Sequence, residues 1–121
     1  MPAEYEALVT ALRATWIPFE EYGWKTRPDT IYGVITPEGE SDSLDGDGMK
    51  TDRAWDTSVD VYFSRIADRK RVIKTVEDAL RSVCGASWSL NSTQHEQQTG
   101  LFHIEWICEV MGEMTGEPEG D

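Results

Sequence analysis

Apolar residues recur along this chain with two different periods. Tyr5, Leu8, Val9, Leu12 and Trp16 fall at i, i+3, i+4, i+7 and i+11, which is one face of a helix. Glu4 and Glu6 sit in its first turn and Arg13 near its end, as the helix dipole favours, and Pro18 stops it. The spacing predicts a first helix over about residues 3–15. Phe19, Tyr22 and Trp24 then read as a short strand or an extended linker. Ile31 to Thr36 is rich in β-branched and aromatic residues and reads as a strand, which Pro37 ends or places at a sheet edge. Glu38 to Gly48 is polar, acidic and Gly-rich, a long loop or the tip of a hairpin, with a short strand resuming at about Met49 to Trp55. Thr57 to Arg65 alternates with period two: Val59, Val61 and Phe63 point one way, Ser58, Asp60, Tyr62 and Ser64 the other.

The helical period returns after Asp68, a plausible N-cap. Val72, Ile73, Val76, Ala79, Leu80 and Val83 form an apolar stripe that ends near Cys84, and Gly85 stands where a left-handed C-cap residue belongs. Its other face carries Arg69, Lys70, Arg71, Lys74, Glu77, Asp78 and Arg81. Ala86 to Ser92 reads as a strand with Trp88 and Leu90 on one side, and Asn91 to Gly100 as a polar turn region. Leu101 to Val110 is the strongest strand, with Phe102, Ile104, Trp106, Cys108 and Val110 on one face and His103, Glu105 and Glu109 on the other. Runs of strands joined by polar turns predict an α+β fold: a mainly antiparallel sheet of four to five strands, with a long hairpin loop and two helices packed on it. Residues 1–111 are expected to form a single domain, and 112–121 a disordered acidic tail.

Charge narrows the functions available. Eleven basic residues against 23 acidic ones give a net charge of -12. Sequence-independent DNA binding needs Lys and Arg to neutralise phosphates, so a general DNA-binding role is disfavoured. The acid gathers at Glu38, Glu40, Asp42, Asp45 and Asp47 and again after Glu113, while nearly half of the base lies on the second helix. No apolar run approaches the roughly 18 residues of a membrane span, and the start carries acid where a signal peptide carries base. The chain is therefore expected to fold in the cytoplasm, with Cys84 and Cys108 as free, buried thiols.

Candidate chemistry is sparse. The Asp-Gly stretch from Asp42 to Gly48 has neither frame of an EF-hand: from Asp42 the twelfth position is Arg53, and from Asp45 the fifth is Met49. Cys84, His95, His103 and Cys108 match no zinc spacing, and His103 and Cys108 face opposite sides of one strand. Glu105 and Glu109 are four residues apart on an extended chain, about 13 Å, too far to cooperate. No catalytic, metal or cofactor site is expected. Among the tryptophans, Trp16, Trp88 and Trp106 fit core faces, whereas Trp24 and Trp55 lie outside the strongly periodic segments and are candidates for an interface.

The order of these features resembles the tail-terminator, or tail-completion, proteins of long-tailed (siphovirus-type) bacteriophages. The likeness runs from about Leu8 to Val110. It comprises the opening helix, the extended Asp29-Thr30-Ile31-Tyr32-Gly33-Val34 after Pro28, the acidic Asp-Gly loop with Met49-Lys50, and the strand Ser58-Val59-Asp60-Val61-Tyr62-Phe63-Ser64. The helix segment Val76-Glu77-Asp78-Ala79-Leu80 and the closing strand from Phe102 to Val110 complete it. The resemblance implies a non-enzymatic virion protein, assembled in the host cytoplasm, that forms a homo-oligomeric ring, commonly hexameric, on the tail. Such a ring ends tail-tube polymerisation and offers a surface for head–tail joining. Its partners would be the tail-tube protein and the head–tail connector protein, with genomic DNA passing through the lumen unbound and no membrane contact. Glu38, Glu40, Asp42, Asp45, Asp47, Lys50, Arg69, Arg71, Lys74, Trp24 and Trp55 are the expected assembly-interface residues. A connector (head-closure) protein of the same neck is the alternative. An acidic DNA mimic fits less well, because the densest clusters of acid lie in a loop and a tail.

Overall fold

A computed structural model of the chain describes residues 3–44, 50–85 and 87–113. The elements run α1 (Ala3–Arg13), β1 (Phe19–Glu21), β2 (Ile31–Leu44), β3 (Lys50–Phe63), a 3-10 turn (Ile66–Asp68), α2 (Arg69–Cys84), β4 (Trp88–His95) and β5 (Phe102–Glu113). The five strands form one sheet in the order β1-β2-β3-β5-β4. Every pairing is antiparallel except that of β1 with β2. This is the expected α+β architecture, with both helices on one face of the sheet.

A single core forms between the layers. The α1 face of Tyr5, Leu8, Val9 and Leu12 and the α2 stripe of Val72, Val76, Ala79 and Leu80 meet Ile35 of β2, Val59, Val61 and Phe63 of β3 and Ile104, Trp106, Cys108 and Val110 of β5. The predicted alternation in β3 and β5 thus points its apolar sets inward. Trp106 is fully buried, and its indole N–H donates to Glu77 Oε2 at 3.0 Å, pinning α2 to β5. Glu77 therefore belongs to the rim of the core rather than to the outer face of α2. Phe19 of β1 packs where Gly33 of β2 leaves room: a Cβ at Gly33 would fall within the Phe19 ring.

Several expectations change. The polar stretch 38–44 is strand, not loop: β2 continues through Pro37, with a register shift between Pro37 and Gly39, and pairs with β3 as far as Leu44 and Lys50. Main-chain hydrogen bonds hold such an arm without the apolar alternation that would reveal it in the sequence. Because β1 reaches only Ile35, Pro37 stands on an open edge, where its missing N–H costs nothing. β5 likewise runs past Val110: Gly112 and Glu113, expected in the tail, pair with Arg53 and Asp52. The expected tail beyond them, 114–121, and Asp45, Asp47 and Met49 lie outside the described residues.

β4 extends to His95, so the turn occupies only the end of the segment expected for it. Trp88 and Leu90 pair with Cys108 and Trp106 and so share a face, as expected, although Leu90, on this edge strand, is exposed; the register shifts only after it, between Leu90 and Ser92. Asp68 stands at the N-cap of α2 without capping it. The 3-10 turn holds it in a helical conformation, and its carboxylate pairs with Arg65 instead. Gly85 closes α2 with a φ of 61°, positive as expected, while its ψ of -113° turns the chain into β4. Trp16 follows the end of α1 and is 38% exposed rather than core. It lies on the surface of α2, where Arg71 stacks over its ring at 3.8 Å and Thr75 accepts its N–H at 2.7 Å.

Candidate functional site

The face of the sheet opposite the helices carries the residues of outward parity, and their register groups them in rows. Tyr32 of β2, Tyr62 of β3 and His103 of β5 are direct cross-strand neighbours. Their rings stack, Tyr32 on Tyr62 with centroids 4.9 Å apart and Tyr62 on His103 at 4.1 Å. Trp24, in the connection before β2, extends the row edge-on to Tyr32 and donates its N–H to the Gly33 carbonyl at 2.9 Å. Arg27 lies over Tyr32 and donates to its hydroxyl at 3.0 Å. Trp24, Arg27, Tyr32, Val34, Tyr62 and Glu96 line an open hollow of about 340 Å³.

The next row is acidic. Asp60 and Glu105 are directly opposite each other. Ser58 Oγ lies 2.7 Å from Asp60 Oδ2 and 2.8 Å from Glu105 Oε2, and Asn91 donates to Glu105 Oε1 at 2.8 Å. His103 Nε2 meets Asp60 Oδ1 at 2.6 Å, and its Nδ1 is 3.5 Å from Glu96. With a carboxylate at each nitrogen, the ring suits the doubly protonated form, in which both nitrogens donate. Burial works against that charge, but the Asp60 hydrogen bond and the charges of Asp60, Glu96 and Glu105 override it and raise the His103 pKa. Tyr62 is pushed up to about 12, chiefly by burial and then by Asp60.

Ser58, Asp60 and His103 are thus brought together, which the sequence alone did not reveal. The outward parity of Ser58, Asp60 and Tyr62 was legible; the register joining them to His103 was not. The order within the group decides its chemistry. A nucleophilic serine needs the imidazole between hydroxyl and carboxylate. Here the carboxylate stands in the middle, so the imidazole does not reach the hydroxyl, and Asp60 holds both neighbours in place. Among the described residues no group of His, Cys, Asp and Glu has the arrangement of a metal site. Cys84 and Cys108 are buried free thiols in contact. The hydrogen bond to Cys84, and then burial, push the Cys108 thiol far up, and its Sγ lies 3.7 Å from the Thr57 carbonyl.

The expected interface residues do not form one site. Glu38, Glu40 and Asp42 lie on β2 and Lys50 begins β3, in the hairpin arm. Arg69, Arg71 and Lys74 are exposed on α2, a separate element from that arm. Arg71 is engaged by Trp16, and Lys74 pairs with Asp78 at 2.8 Å. Trp24 and Trp55 are half-buried, Trp24 in the aromatic row and Trp55 against the core. No helix among the described residues is long and apolar enough to cross a membrane.

No protein-family model matches the chain, and no curated protein matches it in sequence. Its fold, however, is similar to that of a chain from the virion of a native gene transfer agent particle. That likeness has a TM-score of 0.66 at 16% identity and covers 93% of this chain and 95% of the other.

Proposed function

We propose that this chain is a non-catalytic structural subunit of a phage-like particle, located at the head–tail junction. There it closes into a ring on the tail tube, ends tube polymerisation and presents the surface to which the head connector joins. The observation that carries this reading is the fold shared with a virion chain over nearly the whole length of both. The order of sequence features from Leu8 to Val110 points the same way. The Ser58–Asp60–His103 order, with the carboxylate rather than the imidazole next to the hydroxyl, departs from that of a nucleophilic serine and fits a structural role. A net charge of -12 suits a ring through which DNA must slide, since phosphates meet no counterion-releasing contacts there. A connector role in the same neck draws on the same fold likeness, and partner choice separates the two.

The test is assembly with purified full-length protein. Added to polymerising tail-tube protein, it should arrest tubes at a defined length, with a ring of density at one end by electron microscopy. Capture by portal-proximal proteins, with no effect on tube growth, would move the assignment to the connector. Failure to bind either would remove the assembly reading.

A further inference from the structure

The helix-free face of the sheet contains an electrostatic conflict that the described residues do not resolve. Asp56 stands directly opposite Glu109, and Asp60 directly opposite Glu105, on the same face of β3 and β5. Like charges placed opposite one another destabilise a sheet. The Asp60–Glu105 row is relieved by His103, Ser58 and Asn91. Asp56 and Glu109 are exposed and have no ion-pair partner among the described residues. Natural sequences avoid local conflicts except where function maintains them, and this one calls for cations from outside the subunit.

The complementary surface lies on the opposite side of the same molecule. Opposite the buried stripe of Val72, Val76 and Leu80, α2 turns Lys70, Lys74 and Arg81 to solvent, with Asp78 as the carboxylate among them. Lys74 and Arg81 both reach Asp78, so one negative charge serves two cations, and Lys70 has no ion-pair partner among the described residues. The dimensions agree. Lys74 and Arg81 are about 10 Å apart along the helix axis, and Asp56 and Asp60, like Glu105 and Glu109, are about 13 Å apart along their strands. Long basic side chains readily cover that difference.

We propose that the Lys70/Lys74/Arg81 stripe of α2 in one copy docks on the Asp56/Glu109 and Asp60/Glu105 rows of the next. The occupant of the sheet face is a second copy of this chain. Because the two surfaces are on opposite sides of the subunit, the contact is heterologous, and repetition produces a closed ring or an open filament. The proposal deepens the assembly reading above and rests on it for the expectation of closure.

The experiment uses the full chain and two charge-reversed variants, Asp56→Lys/Glu109→Lys and Lys70→Glu/Lys74→Glu, with sedimentation measured at low and high salt. Wild type should associate at low salt and dissociate as salt rises. Each variant alone should sediment as monomer. An equimolar mixture should recover assembly, because each variant's altered surface then meets a complementary one. Recovery also shows that both variants are folded. In addition, Glu109→Gln should raise the denaturation midpoint of the monomer while weakening association, which a merely structural residue would not do.

A wild type that stays monomeric at low salt overturns the proposal, as does association untouched by either variant or a mixture that stays monomeric. If Asp56→Lys/Glu109→Lys still assembles but now retains DNA, the face lines a passage and the proposal is equally overturned. Tube capping by wild type without sensitivity to these variants leaves the ring reading standing and removes this interface. Assembly that follows the charge pattern without tube capping does the reverse.

Discussion

Tyr62 lies flat against the imidazole of His103, ring centroids 4.1 Å apart, while the edge of the same imidazole meets Asp60 at 2.6 Å. The aromatic face and the carboxylate both favour the imidazolium, the first through its ring electrons and the second through its charge. When protonated, His103 is thereby the cation that makes an acid-lined sheet face tolerable within a single subunit.

A pH dependence follows. The His103 pKa is raised above its ordinary 6.5. The protonated ring therefore contributes its full stability below about pH 6.5, and that contribution is lost as pH rises through the native-state value. Urea denaturation between pH 5 and pH 9 should show wild type losing stability across this window relative to His103→Gln. Parallel profiles for the two proteins would mean that folding leaves the His103 pKa unshifted.

Gly33 is fixed by its neighbour rather than by its backbone. Phe19 occupies the space where a Cβ would stand, so Gly33→Ala overpacks the join between β1 and β2. The expected cost is about 1–3 kcal/mol. Adding Phe19→Leu to Gly33→Ala should recover part of that loss. A neutral Gly33→Ala in thermal or urea unfolding would show that the ring is not seated there.

The legible and illegible parts of this fold divide by physical cause. Val72, Val76 and Leu80 announce α2, and Val59, Val61 and Phe63 announce β3, because one-sided burial imposes a period on the sequence. The arm from Glu38 to Leu44 shows no such period, since its main-chain pairing with β3 places no demand on side chains. Register was also hidden. Glu105 and Glu109 read as carboxylates too far apart to cooperate along one strand, whereas their neighbours Asp60 and Asp56 lie across it. Trp16 continues the helical spacing of α1, yet α1 ends at Arg13 and the indole lies on α2 instead. The candidate site depends on register, so its residues were visible one by one and its assembly was not.

Trp106 joins the two layers through one polar contact. Its indole is fully buried and donates to Glu77 on α2. Trp106→Phe removes that donor and part of the ring volume, leaving a half-buried carboxylate unpaired, at a cost of about 1–3 kcal/mol. Glu77→Gln keeps an acceptor oxygen in place and should cost about 1 kcal/mol or less. Comparing the urea midpoints of the two variants separates the packing of the ring from the bond it makes. Equal losses would show that the charge on Glu77, not the indole, is what matters.

Cys84 at the end of α2 and Cys108 in β5 are buried, free and in contact. Thiol reagents attack the thiolate. Cys108 is held protonated by its neighbour and by burial, and Cys84 is only 8% exposed. Cys84 shares a hydrogen bond with Cys108 that lowers its pKa, but a thiolate there stays shielded by α2 and the sheet. Modification therefore has to wait for opening of the layer between α2 and β5. In a disulfide-exchange colour assay at neutral pH, both thiols should react slowly in native protein and at once in denaturant. The native rate should rise in step with destabilising substitutions such as Trp106→Phe. Rapid modification of one thiol in the native state, at a rate indifferent to stability, would mean that Cys84 is accessible and that the end of α2 is not closed over the sheet.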